Sequence, residues 1–263
     1  GSSMNRITSV MAMHVRDRGT WFTIPLSVLG DGFAICLFIT LSVNMLFGGA
    51  TPVYTGALAT FYFVMLLTGI GAIIRAFPFA VGFGSLRRDF ILGTLAMGTA
   101  LSAAWAILLG LLSFIEANVI ENWGIGLHFF HLPFFSDGSP LRRFCWSYYH
   151  NAACVRSDPS YVKGGLPLGQ FWVYFVLLLF MFLVGLLLGS IYQRFGRAGE
   201  YFLAGALFLL LSAFLLVSSY WNWWGAIVGW LAQQTAAMLG LWLLLPIVFF
   251  ALASYALLRK AAV

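Results

Sequence analysis

Charge is what this sequence has least of. Lys and Arg together number 14 and Asp and Glu 8 in 263 residues, only 8% of the chain, against about a quarter in an ordinary water-soluble domain. No large solvated surface can be built from so few charges. The formal net charge of +6 therefore has no soluble basic face to occupy, which argues against a nucleic-acid role. A G-x-x-x-x-G-K-[ST] phosphate loop is also missing, so the chain cannot bind and hydrolyse ATP by that route. No nucleophile stands with a base in reach. Ser85, in Gly82-Phe83-Gly84-Ser85, falls in a connection with no histidine in any nearby span, which counts against an intramembrane serine protease. His128 and His131 with Glu121 form a lone H-x-x-H without the spacing of a zinc site. The expectation is no catalytic residue, no metal and no enzymatic activity in this chain.

What is present in quantity is apolar length. Hydrophobic residues make up 62% of the chain and the mean hydropathy is +0.94. A helix rises about 1.5 Å per residue, so crossing ~30 Å of hydrocarbon takes ~20 largely apolar residues. Six runs satisfy this: Thr23 to Phe47, Val53 to Ile74, Phe90 to Ile115, Gln170 to Tyr192, Tyr201 to Tyr220 and Thr235 to Leu258. Backbone polar groups in lipid must be satisfied within helices. The predicted fold is an all-α polytopic membrane protein occupying residues 23–263.

Basic residues fall on alternate connections, and short cytoplasmic loops retain positive charge. Arg6, Arg16 and Arg18 precede the first run; Arg75, Arg87 and Arg88 follow the second; Arg194 and Arg197 follow the fourth; Arg259 and Lys260 follow the sixth. On the other side Arg142, Arg143, Arg156 and Lys163 are balanced by Glu116, Glu121, Asp137 and Asp158. Both termini are expected in the cytoplasm. Gly1, Ser2 and Ser3 before Met4 read as a cloning scar, and the first run is too long for a cleavable signal peptide. Over residues 4–22, Ile7, Val10, Met11, His14 and Arg18 recur at helical spacing, predicting an amphipathic helix along the inner membrane face, with Trp21 and Phe22 as an interfacial anchor.

This topology puts Cys145 and Cys154 outside, where a disulfide between them can persist and would contribute ~3 kcal/mol in the chain-entropy model. Cys36 sits within the first run as a packing residue. The external stretch 116–168 mixes aromatics with turn signals and is expected to form a cap, with Phe129, Phe130, Phe134 and Phe135 in a short helix lying on the membrane. Small residues let membrane helices approach closely. Gly98, Ser102, Ala106 and Gly110 form one such row, and Gly185 with Gly189 another, most simply as contacts within one subunit. Asp31 is the one acid inside a run, about 15 Å deep by helical rise. It has two readings: a transport residue that contacts a cationic group or gates by protonation, or a helix break at Gly30-Asp31-Gly32 whose carboxylate caps freed amides.

The connection from Arg75 to Asp89 is aromatic, interrupted by Pro78 and Gly, and ends in charge. It suits a short helix presenting Phe77, Phe79 and Phe83 to a protein partner, with Arg87, Arg88 and Asp89 at the rim.

The run F-P-F-A-V-G-F-G-S-L-R-R-D-F-I-L-G-T, the later W-G-I-G-L-H-F-F and Y-W-N-W-W-G-A-I-V-G-W-L, together with the order of amphipathic leader and six spans, resemble bacterial ABC-transporter permeases of the type 2 (type V) exporter class. The resemblance covers nearly the whole chain from Met4 and departs at about 136–168. It implies a permease subunit in the bacterial plasma membrane, paired with a second copy or a homologous permease. A separate ATPase subunit would bind ATP and Mg. It further implies that residues 75–89 are the coupling helix and that Arg194, Arg197 and Glu200 belong to a second ATPase contact. The leader becomes the connecting helix, and residues 221–234 a re-entrant region. A pathway lined by the second and fifth spans makes Phe61, Met65, Phe208 and Phe214 candidates, alongside Asp31, for contact with a hydrophobic or amphipathic substrate such as a drug, peptide or lipid. A non-transporting scaffold or signalling subunit is the alternative.

Overall fold

The computed structural model describes residues 3–47, 53–54, 58–118, 127–130, 168–234 and 236–260. Their helices are α1 (Ser3–Arg16), α2 (Ile24–Phe47), α3 (Leu58–Ile74), α4 (Ala76–Gly82), α5 (Arg87–Asn118), α6 (Leu168–Tyr220), α7 (Trp224–Gln233) and α8 (Ala236–Arg259). Two short segments, β1 (Val53–Tyr54) and β2 (Leu127–His128), pair in parallel with Val53 opposite Leu127. Among the described residues, five helical stretches are long and apolar enough to cross a membrane: Gly19–Leu46, Leu58–Gly82, Arg87–Glu116, Phe171–Tyr220 and Met238–Arg259.

The fourth stretch departs from expectation. Where two runs joined by a connection were predicted, α6 is a single 53-residue helical run interrupted only at Gly196, with φ 66° and ψ −160°. Unbroken, it would extend about 80 Å. It doubles back instead. Residues from both sides of Gly196, among them Ile191, Phe195, Ala198 and Phe202, line one cavity together with Leu257. Trp230 of α7 lines another cavity with Val173 and Leu177, near the start of α6. A straight continuation would carry Tyr220 about 36 Å past Gly196, beyond the return reach of the ten-residue α7. The run is therefore two limbs, 168–195 and 197–220. Along the first limb α8 runs parallel, with Phe180 against Phe250 at 5.8 Å and Trp172 over Gly240.

The core lies where α3 and α5 meet the first limb of α6. A Cβ on Gly69 would run into the Phe182 carbonyl, and one on Gly185 into the Leu66 carbonyl, so these backbones touch. Gly98 and Gly110 of α5 lie beneath the rings of Phe182 and Phe171. The small-residue rows are thus seams within one chain, as their spacing suggested.

Other boundaries shift for identifiable reasons. The second run was expected from Val53, but Val53 and Tyr54 pair with β2 and the helix starts at Leu58. The third begins at Arg87, because Asp89 suits the first turn of a helix, where the dipole favours an acid. In the first turn of α2, Pro25 has no N–H for the Trp21 carbonyl and its ring crowds it. The chain widens there into a π-helical turn over Gly19–Thr23, in which the Ile24 N–H reaches the Gly19 carbonyl. Phe129 and Phe130, expected in a surface helix, are buried after β2 against Phe33 of α2. Cys145, Cys154, His131 and Glu121 lie outside the described residues.

Candidate functional site

One end of the bundle gathers the arginines. There α3 passes through Arg75 into α4, a seven-residue helix. Pro78 sits in its first turn, where a missing N–H costs nothing. The helix ends in a Schellman motif: Gly84, at φ 83°, donates to the Val81 carbonyl at 2.9 Å and Ser85 to the Ala80 carbonyl at 3.0 Å. This closure fixes which aromatic ring faces where. Phe79 and Phe83, four apart and thus on one face, are 58% and 78% exposed with ring centroids 4.6 Å apart. Phe77 corrects the expectation that all three rings face a partner. It is fully buried, edge-on to Phe90 at 5.4 Å, because it lies on the opposite face of the same helix.

The charges separate in the same way. Arg88 is exposed. Arg87 is half-buried, and its Nη1 donates to the Arg259 carbonyl at the end of α8, at 3.1 Å. Asp89, expected at the rim, is buried and faces Arg6 of α1 at 3.9 Å. Arg75 folds its guanidinium back toward Gly71 of its own helix.

The leader is docked against protein. Val10 packs on Gly93, where a Cβ would lie 2.8 Å from the Val10 Cβ, and His14 Nε2 lies 3.0 Å from the Thr94 hydroxyl. His14 also packs at a tilt against Trp21, with ring centroids 4.8 Å apart, and against Phe90 at 6.0 Å. Burial lowers its pKa from 6.5 to about 4, with Asp17 opposing that shift. The predicted stripe of Ile7, Val10, Met11 and His14 is the docking face, whereas Arg18 lies beyond α1 and is exposed. Between leader and α4 a cavity of about 400 Å³ is lined by Arg6, Ser9, Phe83, Ser85 and Asp89 among others.

At the same end, Arg194 lies over the Phe195 ring at 4.9 Å. Arg197, exposed, and Glu200, half-buried, follow the Gly196 bend.

The pathway candidates do not come together. Phe61 and Met65 are buried in the chain's own core, with Phe61 against Trp105 at 5.3 Å. Both are packed inside the chain rather than on an open passage, which corrects their assignment as lining residues. Phe208 and Phe214 stand on the outward surface of the second limb, 70% and 47% exposed. Asp31 is exposed on α2, which runs unbroken through Gly30 and Gly32, so the expected helix break is not there. Sequence reasoning also missed Glu116. It is buried and accepts the Phe130 N–H at 3.1 Å, while the Tyr174 hydroxyl donates to the Phe130 carbonyl. The signal was a carboxylate at the end of an apolar run, which must find a donor when buried.

The chain is a helical, multi-pass membrane protein. Compared with known protein families, curated proteins and solved structures, it finds no match.

Proposed function

We propose that the chain is the permease subunit of an ATP-driven ABC exporter of the type 2 class. Six spans, counting the two limbs of α6 separately, would carry a hydrophobic or amphipathic substrate out of a bacterial cell. Both termini would be cytoplasmic. ATP and Mg would be bound by a separate ATPase subunit, and a second permease copy or a homologue would complete the pathway.

The observation that carries this reading is the exposed Phe79 and Phe83 pair on a capped helix wedged between two long helices. An exposed aromatic pair beside an exposed arginine has the composition of a protein-docking patch. Here the patch is also mechanically connected. Phe77 grips Phe90 of α5, and Arg87 grips the end of α8. Force applied to α4 by a closing ATPase pair would reach both helices as rigid-body motion.

Co-purification tests the reading. The wild-type chain should bring down a phosphate-loop ATPase, and Phe79→Ala with Phe83→Ala and Arg88→Ala should lose it while the membrane fold persists, since all three side chains are exposed. An ATPase retained by the triple variant would remove the coupling assignment. The absence of any ATPase from the wild-type preparation would favour the scaffold alternative.

A further inference from the structure

Beside the bend at Gly196 lies an open groove of about 580 Å³ whose lining side chains are all apolar, with Phe195 and Phe202 exposed along it. Water gains no hydrogen-bond partners from such walls. In a membrane the natural occupant is hydrocarbon. The surroundings of the cavity are the opposite in character. Arg194 and Arg197 flank the bend, and Arg259 and Lys260 follow Leu257, a lining residue, by two and three positions. Arg194 is held at 4.9 Å over the ring of Phe195, which itself lines the cavity, so this cation is stationed at the mouth. Arg87 joins the group by bonding to the Arg259 carbonyl. Glu200 is the acid closest in sequence to the bend, yet among the described residues no carboxylate lies within ion-pair distance of Arg194, Arg197, Arg259 or Lys260.

We infer that this site binds an anionic phospholipid from the adjoining leaflet, with an acyl chain in the cavity and the phosphate among Arg194, Arg197 and Arg259. Hydrocarbon alone satisfies the walls and leaves the cations unanswered. A free phosphate answers the cations and leaves the walls empty. A zwitterionic lipid fills the cavity but carries its own cation to the rim, whereas an anionic lipid meets both demands. The site is built within this chain, by the bend and the end of α8, and does not depend on whether an ATPase docks nearby.

The test uses the full-length chain in detergent. Its melting temperature and retained lipid are measured with phosphatidylglycerol, with phosphatidylcholine and with inorganic phosphate. Phosphatidylglycerol should raise the melting temperature and remain bound through native mass spectrometry, and the other two should not. Arg194→Gln with Arg197→Gln and Arg259→Gln should weaken phosphatidylglycerol retention by about tenfold or more while leaving the melting temperature in phosphatidylcholine unchanged. Should that variant fail to fold, Ala198→Phe is the second arm. It puts a bulky ring into the groove with every cation in place and should abolish the lipid-specific shift. Equal shifts with both lipids, full reproduction by phosphate alone, or undiminished retention in the Ala198→Phe variant would each overturn the site. Loss of the ATPase without loss of phosphatidylglycerol, or the converse, separates this inference from the exporter reading.

Discussion

The two limbs of α6 are alike in apolar content and have opposite surroundings. In the first, Tyr174, Val176, Leu178, Phe182 and Leu186 are fully buried, and Gly185 brings its backbone against that of α3. In the second, the side chains from Phe208 to Leu211 all stand exposed. Bulk hydrophobicity does not distinguish them, because lipid tails are as apolar as leucine and do not drive helices together. What differs is where the small residues face. Gly185 and Gly189 face the backbone of α3, whereas Gly205 of the second limb has nothing within 4 Å of its side-chain position. Within this chain, seams are made by glycine meeting backbone, and bulky residues cover the faces left for lipid or another subunit.

Replacing glycine with leucine on each limb breaks this comparison most sharply. Gly185→Leu places a branched side chain where the Leu66 carbonyl already stands, with no flexible neighbour to give way. The expected cost is about 3 kcal/mol or more, read as loss of monodisperse protein in detergent. Gly205→Leu enters open space and should change stability by less than about 0.5 kcal/mol. Equal damage from both would mean that the second limb is as tightly packed against another part of the molecule as the first.

The leader extends the tightly packed half, and its contact is sensitive to pH. His14 is buried beside Trp21 and Phe90, with a pKa lowered from 6.5 to about 4. Because the folded state resists the proton that the unfolded state accepts, the unfolded chain binds more protons between these values. Stability from this residue is fully present above pH 6.5 and declines as pH falls toward 4, by about 3 kcal/mol at most. Melting temperature measured across that window should fall with acid, and His14→Gln should flatten the slope. The exposed second limb carries no such group, so probes placed there should report no pH step before the leader detaches.

The apolar runs were legible because a bilayer demands length before anything else. The amphipathic leader was legible because Val10 and His14 lie four apart, on the face that docks. The face of Phe77 was readable in the same way, since Phe79 and Phe83 are four apart and Phe77 falls between turns; aromatic content alone concealed it. Phe61 and Met65 show the opposite case. A helix apolar on every side gives no sign of which face meets a neighbour, and only the packing of α3 on the first limb of α6, with Phe61 reaching Trp105 of α5, decides it. Neither did composition reveal that the fourth and fifth runs join through one glycine, because an arginine pair reads equally as a loop.

That glycine joins the limbs, and its backbone is the smallest and most specific place to test the contrast between them. At φ 66° with ψ −160°, Gly196 occupies a region that side chains with a Cβ rarely adopt. Nothing lies within 4 Å of its side-chain position, so Gly196→Ala meets no steric obstacle beyond its own backbone. The cost should be about 1–3 kcal/mol, no larger than that of Gly185→Leu, and should come from torsion rather than packing. Its signature is local. Hydrogen exchange should rise at Phe195 to Gly199 and remain slow along the first limb, which α3 and α5 hold independently. Faster exchange spread along both limbs would show that the bend, and not the glycine seam, holds the first limb in place.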